Sequence, residues 1–327
     1  MSDVARAAGV HPSTVSLALR QHPSIPESTR QRIGAIAGSL GYRPNPMVSA
    51  LMRVRRSREG GDDGNVIAFL TAFVKRNEWR EIPKYVRLFE EASSYAHEHG
   101  YRLEEFWLYE KGVTPARLRS ILLSRGIRGV MICPLPSGGQ AIDFDFGDFA
   151  AIAFGLTLHQ PALDQVTIDY YGVMELAINK LREAGRRRLG FVTARLHDER
   201  INHQFLSAYI GERYFAPRRF VSPLRLNEVT AGGVISWIKR YRPDAIIVDT
   251  EPHWKIVVRA LKQAGMEESG RVVCLDCDPG SGDPGVEQDV RGWARSAVDW
   301  LTARMERAQF GIPASRQTVS FTGRWSA

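Results

Sequence analysis

The chain has 327 residues, 44% of them hydrophobic and 24% charged, an ordinary globular composition on a length beyond what one compact core usually serves. Two or three domains are expected. No run of about 18 uncharged apolar residues occurs, and the opening Met-Ser-Asp-Val-Ala-Arg lacks a charged start followed by an apolar stretch. This predicts neither a membrane span nor a secretory signal, and hence a soluble, cytoplasmic protein with no membrane partner. Three cysteines, Cys133, Cys274 and Cys277, are too few for a disulfide framework and fit a reducing compartment. The net charge is +8, and residues 1–58 hold nine arginines against only Asp3 and Glu27, so the rest of the chain is nearly neutral. A short basic segment on a neutral body points to nucleic acid, because phosphate neutralisation with counterion release supplies most sequence-independent affinity.

Val4, Ala5 and Ala8, followed by Gly9-Val10, predict a short helix ended by a glycine. A second opens at Pro12 with Val15, Ala18 and Leu19 at helical spacing. A third, over 27–40, places Ile33, Ile36, Ala37 and Leu40 on one buried stripe and stops at Gly41 ahead of Pro44. Three such short helices close a core only by packing together, which leaves the second free to present its polar side, with Ser13, Thr14 and Ser16. That is helix-turn-helix geometry, in which the second helix enters the major groove. The segments A-A-G-V-H-P-S-T-V-S (7–16), S-T-R-Q-R-I (28–33) and L-G-Y-R-P-N (40–45), in this order and at these spacings, resemble the headpiece of the lactose-repressor/galactose-repressor family.

The resemblance implies that Pro12, Ser13, Thr14, Ser16 and Leu17 face DNA, Leu17 offering only an apolar contact such as one to a thymine methyl. It implies a hinge helix capped at Asn45 with Pro46 at its first position. Leu51 then takes the place of the family's leucine wedge, which opens a minor-groove step, and Arg53 and Arg55 are placed to hold flanking phosphates. His11 stands where relatives carry Ser and reads as a poorer helix cap, offset by Pro12.

From Asn65 onward short apolar runs alternate with helical patterns. The expected order is a strand over 66–70, a helix after Pro83 with Tyr85, Leu88, Phe89, Ala92 and Ala96 on one face, a strand over 101–108, a helix over 114–124 and a strand over 128–133. A second series follows: helix 171–184 closing at Gly185, strand 189–193, helix 201–211, strand 245–248, helix 253–264, strand 271–275 and helix 290–308 with Trp293, Ala297, Trp300 and Leu301 inward. Apolar strands separated by amphipathic helices indicate parallel sheets covered on both faces. Residues 166–193, and 242–251 with 260–265, are similar to the effector domain of the same family, a body built like periplasmic sugar-binding proteins. The expected fold is therefore an N-terminal all-α helix-turn-helix headpiece plus an α/β periplasmic-binding-protein-like effector domain of two parallel-sheet subdomains. The boundaries are 1–44 for the DNA-binding domain, 45–64 for hinge helix and linker, 65–156 with 290–313 for the N-subdomain, and 157–289 with 314–327 for the C-subdomain. The terminal strand, 317–322, is assigned to the C-subdomain.

Ligands of such folds sit in the crevice at the carboxyl ends of the strands. The resemblance puts Arg200, Asp276 and Gln288 at ligand-facing positions, and Glu251 where relatives carry an aspartate. Phe73, Trp79 and Trp254 offer faces for stacking on a sugar ring and read equally well as core. Cys274-Leu-Asp-Cys277 has C-x-x-C spacing, but a turn-rich loop follows it and no second cysteine pair completes a zinc site. No cofactor, metal or catalytic arrangement is expected. The implied function is that of a ligand-responsive transcriptional regulator and repressor that binds a near-palindromic double-stranded operator. A homodimer is expected, since Arg324-Trp-Ser-Ala follows the last strand without a heptad tail. A small sugar or sugar derivative is the expected effector. A solute-binding protein would explain only the body, and a C-x-x-C redox protein only four residues.

Overall fold

The computed structural model describes residues 1–19, 25–42, 65–266, 271–278 and 280–326. The expected hinge helix, with Asn45, Leu51, Arg53 and Arg55, lies outside the described residues.

Three helices, α1 (Ser2–Ala8), α2 (Pro12–Leu19) and α3 (Glu27–Ser39), make the N-terminal unit. Gly9 ends α1 at φ 63°, a left-handed turn that a side chain would strain. Val4, Ala5, Ala8, Val15, Ala18, Ile33 and Ala37 form the small core. Arg32 Nη1 donates to the Ala8 carbonyl at 3.2 Å, satisfying one of the carbonyls left open at the end of α1. Two expectations need correcting. Leu40 is exposed rather than buried, because the chain leaves the helix there and turns through Gly41. His11 is a better cap than its residue type suggests: its Nδ1 accepts from the Ser13 amide at 3.3 Å and lies 2.7 Å from Ser13 Oγ.

The body alternates β1 (Val66–Thr71), α4 (Pro83–Glu98), β2 (Arg102–Trp107), α5 (Pro115–Ser124), β3 (Gly129–Ile132), β4 (Gln140–Ala141), β5 (Ala150–Phe154), β6 (Leu158–Gln160) and β7 (Asp164–Ile168). It continues through α6 (Tyr170–Glu183), β8 (Leu189–Ala194), α7 (Arg195–Arg200), α8 (Gln204–Phe215), β9 (Leu224–Leu226), α9 (Ala231–Tyr241), β10 (Ala245–Val248), α10 (Glu251–Gln263), β11 (Val272–Cys277) and β12 (Gly285–Gln288). The chain then returns through α11 (Val290–Glu306), β13 (Thr318–Phe321) and β14 (Gly323–Ser326). Among the described residues these strands build two six-stranded sheets, β13-β7-β5-β3-β1-β2 and β14-β12-β11-β10-β8-β9. The first is parallel throughout, and in the second only β14 runs antiparallel. Strands β1, β3, β5, β7, β8 and β10 are buried along their whole length, as parallel strands covered on both faces must be.

The chain crosses between the sheets three times, after β7, after β12 and between β13 and β14. The first two crossings share one local device, Asp-x-x-Gly. Asp169 Oδ1 accepts from the Gly172 amide at 2.9 Å, and Asp289 Oδ1 from the Gly292 amide at 2.8 Å, so each aspartate caps the helix that follows.

The placement of β7 and β13 corrects the expected subdomain boundaries. Both belong to the first sheet, so residues 164–168 and the strand assigned to 317–322 lie with the N-subdomain, and only β14 reaches the second sheet. The physical reason is the buried carboxylate of Asp164. It accepts from Arg304 of α11 and, at 2.8 Å, from the Gln317 amide, which fixes the returning chain beside β7. The expected helix 201–211 begins later and runs further, as α8 from Gln204 to Phe215, and a short helix not expected there, α7, precedes it. Between α7 and α8, Asn202 and His203 adopt left-handed backbone (φ 52° and 59°), and the His203 ring lies 2.8 Å from Asp198 Oδ2.

Gly190, in the interior of β8, shows how closely this body packs. A Cβ there would lie 2.3 Å from Cη2 of the buried Trp237. Gly190→Ala should therefore destabilise the body by about 1–3 kcal/mol, as overpacking of a filled core does. Urea unfolding checks this, and an unchanged midpoint would show that the indole shifts freely.

Candidate effector cleft and DNA-facing helix

The site is built where the carboxyl ends of the two sheets meet. On the first wall, Pro83 opens α4, and the next two residues, Lys84 and Tyr85, stand at the helix mouth. On the second wall, Arg200 ends α7, Asp276 lies near the end of β11, and Gln288 ends β12. Lys84 Nζ donates to Asp276 Oδ2 at 3.0 Å and also to Gln288 Oε1. The Gln288 amide is itself held by the Leu275 carbonyl at 2.7 Å. Arg87 Nη1 donates to Asp278 Oδ1 at 2.6 Å. Arg200 donates to the Tyr85 hydroxyl, and its guanidinium lies 5.4 Å from the centre of the Tyr85 ring. A further close approach comes from the loop after β3, where a Cβ on Gly138 would fall 2.2 Å from the Glu199 carbonyl oxygen. Two surface depressions, beside Lys239 and Arg271 and beside Arg119 and Asp145, lie away from these residues.

The hydroxyl that Arg200 meets is neutral, and the Asp276 carboxylate lies near enough to act on the neighbouring Tyr170. Burial pushes the Tyr85 hydroxyl up to about 12, against the opposing pull of Arg200. It raises Tyr170 and the Cys133 thiol as well, again with Arg200 pulling the other way.

In the N-terminal unit, Pro12 and Ser13 are exposed, while Thr14 and Leu17 are half-buried on α2, whose Val15 and Ala18 face the core. This leaves the start of α2 accessible, as groove reading requires.

Residues 1–45 match the bacterial regulatory proteins of the lacI family, and residues 178–323 match the periplasmic binding protein-like domain. The N-terminal unit is thus a lacI-family region and the body a periplasmic binding protein-like one. Over 104 residues it is 36% identical to the HTH-type transcriptional regulator PtxS of Pseudomonas plecoglossicida, an alignment covering 32% of this chain and 26% of that protein's length. Its fold is similar to that of the Lac repressor bound to ONPG in its repressed state (TM-score 0.59, 16% identity, 99% of this chain and 97% of that one). It is also similar to a regulatory protein of the LacI family from Chloroflexus aggregans (TM-score 0.59, 16% identity, 79% of this chain and 96% of that one). The family and these neighbours are transcriptional regulators, not enzymes.

Of the expected set, Arg200, Asp276 and Gln288 meet the neighbouring Lys84 and Tyr85. Trp79 is fully buried: its ring lies between Phe69, Phe89 and the Arg80 guanidinium, and Nε1 donates to Glu105 Oε1 at 3.0 Å. Phe73 is buried in the same core. Trp254 packs on the core of the second sheet, its Nε1 3.4 Å from the Val272 carbonyl. The buried rings of Trp79 and Phe73 leave no face for stacking. Glu251 pairs with Lys255 of its own helix. Cys274 and Cys277 are free, buried and in a strand, and Cys277 Sγ donates to the Cys274 carbonyl, so the helix-opening geometry of a redox pair is missing.

The carboxylate that matters at the end of β10 is Asp249, which sequence reasoning passed over. It is fully buried, accepts from Thr193 Oγ1 at 2.7 Å, and lies 2.7 Å from His253 Nδ1 and 3.1 Å from His197 Nδ1. Burial alone would push its carboxyl up, but His197 and His253 outweigh burial and hold it well below the usual carboxylate range. An apolar run ending in an acid, Ala-Ile-Ile-Val-Asp, is the signal that could have found it.

A carboxylate depressed in the folded state contributes stability above its unfolded value of about 3.9 and loses it as pH falls below that value. Asp249→Asn should cost about 3–5 kcal/mol at neutral pH, as breaking a buried ionic cluster does. The gap to the native chain should narrow once the pH drops below about 4. Chemical unfolding of both proteins across pH measures the gap, and a gap that widened in acid would contradict the assignment.

Proposed function

We propose that this lacI-family protein is a ligand-gated repressor that binds a near-palindromic operator as a homodimer and takes a small sugar-like effector between its subdomains. One observation carries the reading. A three-helix unit with an accessible α2 shares a chain with a cleft whose walls meet through Lys84–Asp276 and Tyr85–Arg200. The curated relative is a transcriptional regulator, and solved neighbours include Lac repressor on its operator and CelR with cellobiose. A ligand with different affinity for open and closed clefts would shift the population that holds DNA.

The DNA side of this reading assigns contacts to Pro12, Ser13, Thr14, Ser16 and Leu17, phosphates to Arg53 and Arg55, a hinge cap to Asn45, and a minor-groove wedge to Leu51. The domain division 1–44, 45–64 and effector body follows the same proposal, with the strand corrections above.

The test begins with selection of bound duplexes from a random pool, followed by fluorescence anisotropy on the selected and on scrambled DNA. Leu51→Ala should weaken the selected site at least tenfold, about 1.4 kcal/mol, and leave scrambled DNA nearly unchanged, because a wedge contributes only where a step opens. Equal losses on both would reject the wedge. Arg200→Ala should abolish the effect of effector on operator binding. A variant that still responded at the native concentration would remove Arg200 from the effector site. Sedimentation should give a dimer, and a stable tetramer would contradict it.

A further inference from the structure

We propose that the effector of this cleft is anionic, a small molecule whose carboxylate or phosphate seats on Arg200. The inference rests on the reading of the cleft as the effector site and adds the charge of its occupant.

Across the cleft, cations and acids are matched with one exception. Lys84 of the first wall meets Asp276 of the second, and Arg87 meets Asp278. Among the described residues Arg200 meets no carboxylate. Its partners are the hydroxyl and the ring of Tyr85. Tyr85 and Cys133, which lie close enough to feel its charge, are buried, and Tyr170 is buried too. A half-buried guanidinium whose direct partner is a neutral hydroxyl exerts a stronger field than one fully in water, even with the Asp276 carboxylate also acting on Tyr170. It is also the cation best shaped for a two-oxygen anion.

The hydrogen-bonding groups point the same way. The Tyr85 oxygen already accepts from Arg200, so its own proton is left to donate. Lys84 has three N–H bonds and two partners among the described residues. Of the nearby acceptors, Asp276 Oδ2 and Gln288 Oε1 are both engaged by Lys84. A ligand entering here finds spare donors and a spare positive charge. A neutral polyol would use the donors and leave the charge unbalanced, whereas an acid group answers both.

The test is thermal unfolding of the full chain at constant ionic strength with glucose, gluconate or glucose 6-phosphate, each at about 10 mM. Gluconate or glucose 6-phosphate should raise the Tm by about 2 °C or more, since a ligand selective for the native state stabilises it. Glucose should not. The larger of the two acid shifts tells carboxylate from phosphate. Arg200→Gln should lose the shift, and Arg200→Lys, which keeps the charge without the fork, should retain part of it and so controls for folding. A shift by glucose equal to that of its acids, lost in Arg200→Gln, would overturn the charge requirement and leave the effector cleft standing. An acid shift that survives Arg200→Gln would place the anion elsewhere and overturn the proposal, as would the absence of a shift with both acids.

Discussion

The contact between Lys84-Tyr85 on one wall and Asp276, Gln288 and Arg200 on the other is the interaction on which the functional geometry depends. It joins the mouth of α4 to the ends of β11, β12 and α7, elements far apart in sequence. Only the triple crossing of the chain between two parallel sheets brings them together. The first two crossings are fixed locally, by the Asp169 and Asp289 caps, and the Asp164 carboxylate seats the returning chain ahead of β13 from a distance in sequence. The positions of the two walls are thus over-determined, while the contact between them is made by side chains that a ligand can displace.

Buried charge is distributed unevenly around that contact. Asp164 and Asp249 are fully enclosed, and each is satisfied by several partners within its own half: Arg304 and Gln317 for the first, Thr193, His197 and His253 for the second. Such groups cost desolvation and hold one arrangement of their surroundings. The ion-paired groups at the cleft, Lys84 with Asp276 and Arg87 with Asp278, are only partly buried and pair between halves. In the proposed regulator, closure and opening would exchange those pairs for water or ligand at modest cost and leave the enclosed clusters intact.

Much of this was legible in the sequence, for identifiable reasons. The three N-terminal helices announce themselves by Gly9, Pro12 and Gly41, whose backbone preferences act within a few residues. The central strands of both sheets are uninterrupted apolar runs. Arg200, Asp276 and Gln288 were reached through family likeness rather than through pattern. What escaped were features decided by distant partners. The short edge strands β13 and β14 are largely exposed and carry little apolar signal, and their sheet is chosen by Asp164 and by Gly323, where a Cβ would meet Val286 at 2.2 Å. Tyr85 fell on the apolar face of α4 and read as core. It is buried, yet its hydroxyl reaches across to Arg200. The tryptophans misled in the opposite direction, because a large aromatic near a strand end fills a core as readily as it lines a cleft.

The route from cleft to DNA follows from the order of elements. The chain enters the body from the N-terminal unit at β1, and the same β1 leads through residues 72–82 into α4, which carries Lys84 and Tyr85. The first strand of the body and the helix that carries Lys84 and Tyr85 are therefore successive elements on the first sheet, and in the proposed regulator these are the ones nearest in sequence to headpiece and effector. The rest of that sheet is locked behind it by α11, whose Trp293 donates to the Val166 carbonyl at 2.6 Å and packs edge-on against Phe154. A ligand that changes the cleft contact acts on this whole wall and not on a loop. In the proposed regulator, two such walls in a dimer would move the entry points of two headpieces together. The size of the response is then set by the difference in ligand affinity between open and closed clefts, and not by the tightness of binding itself.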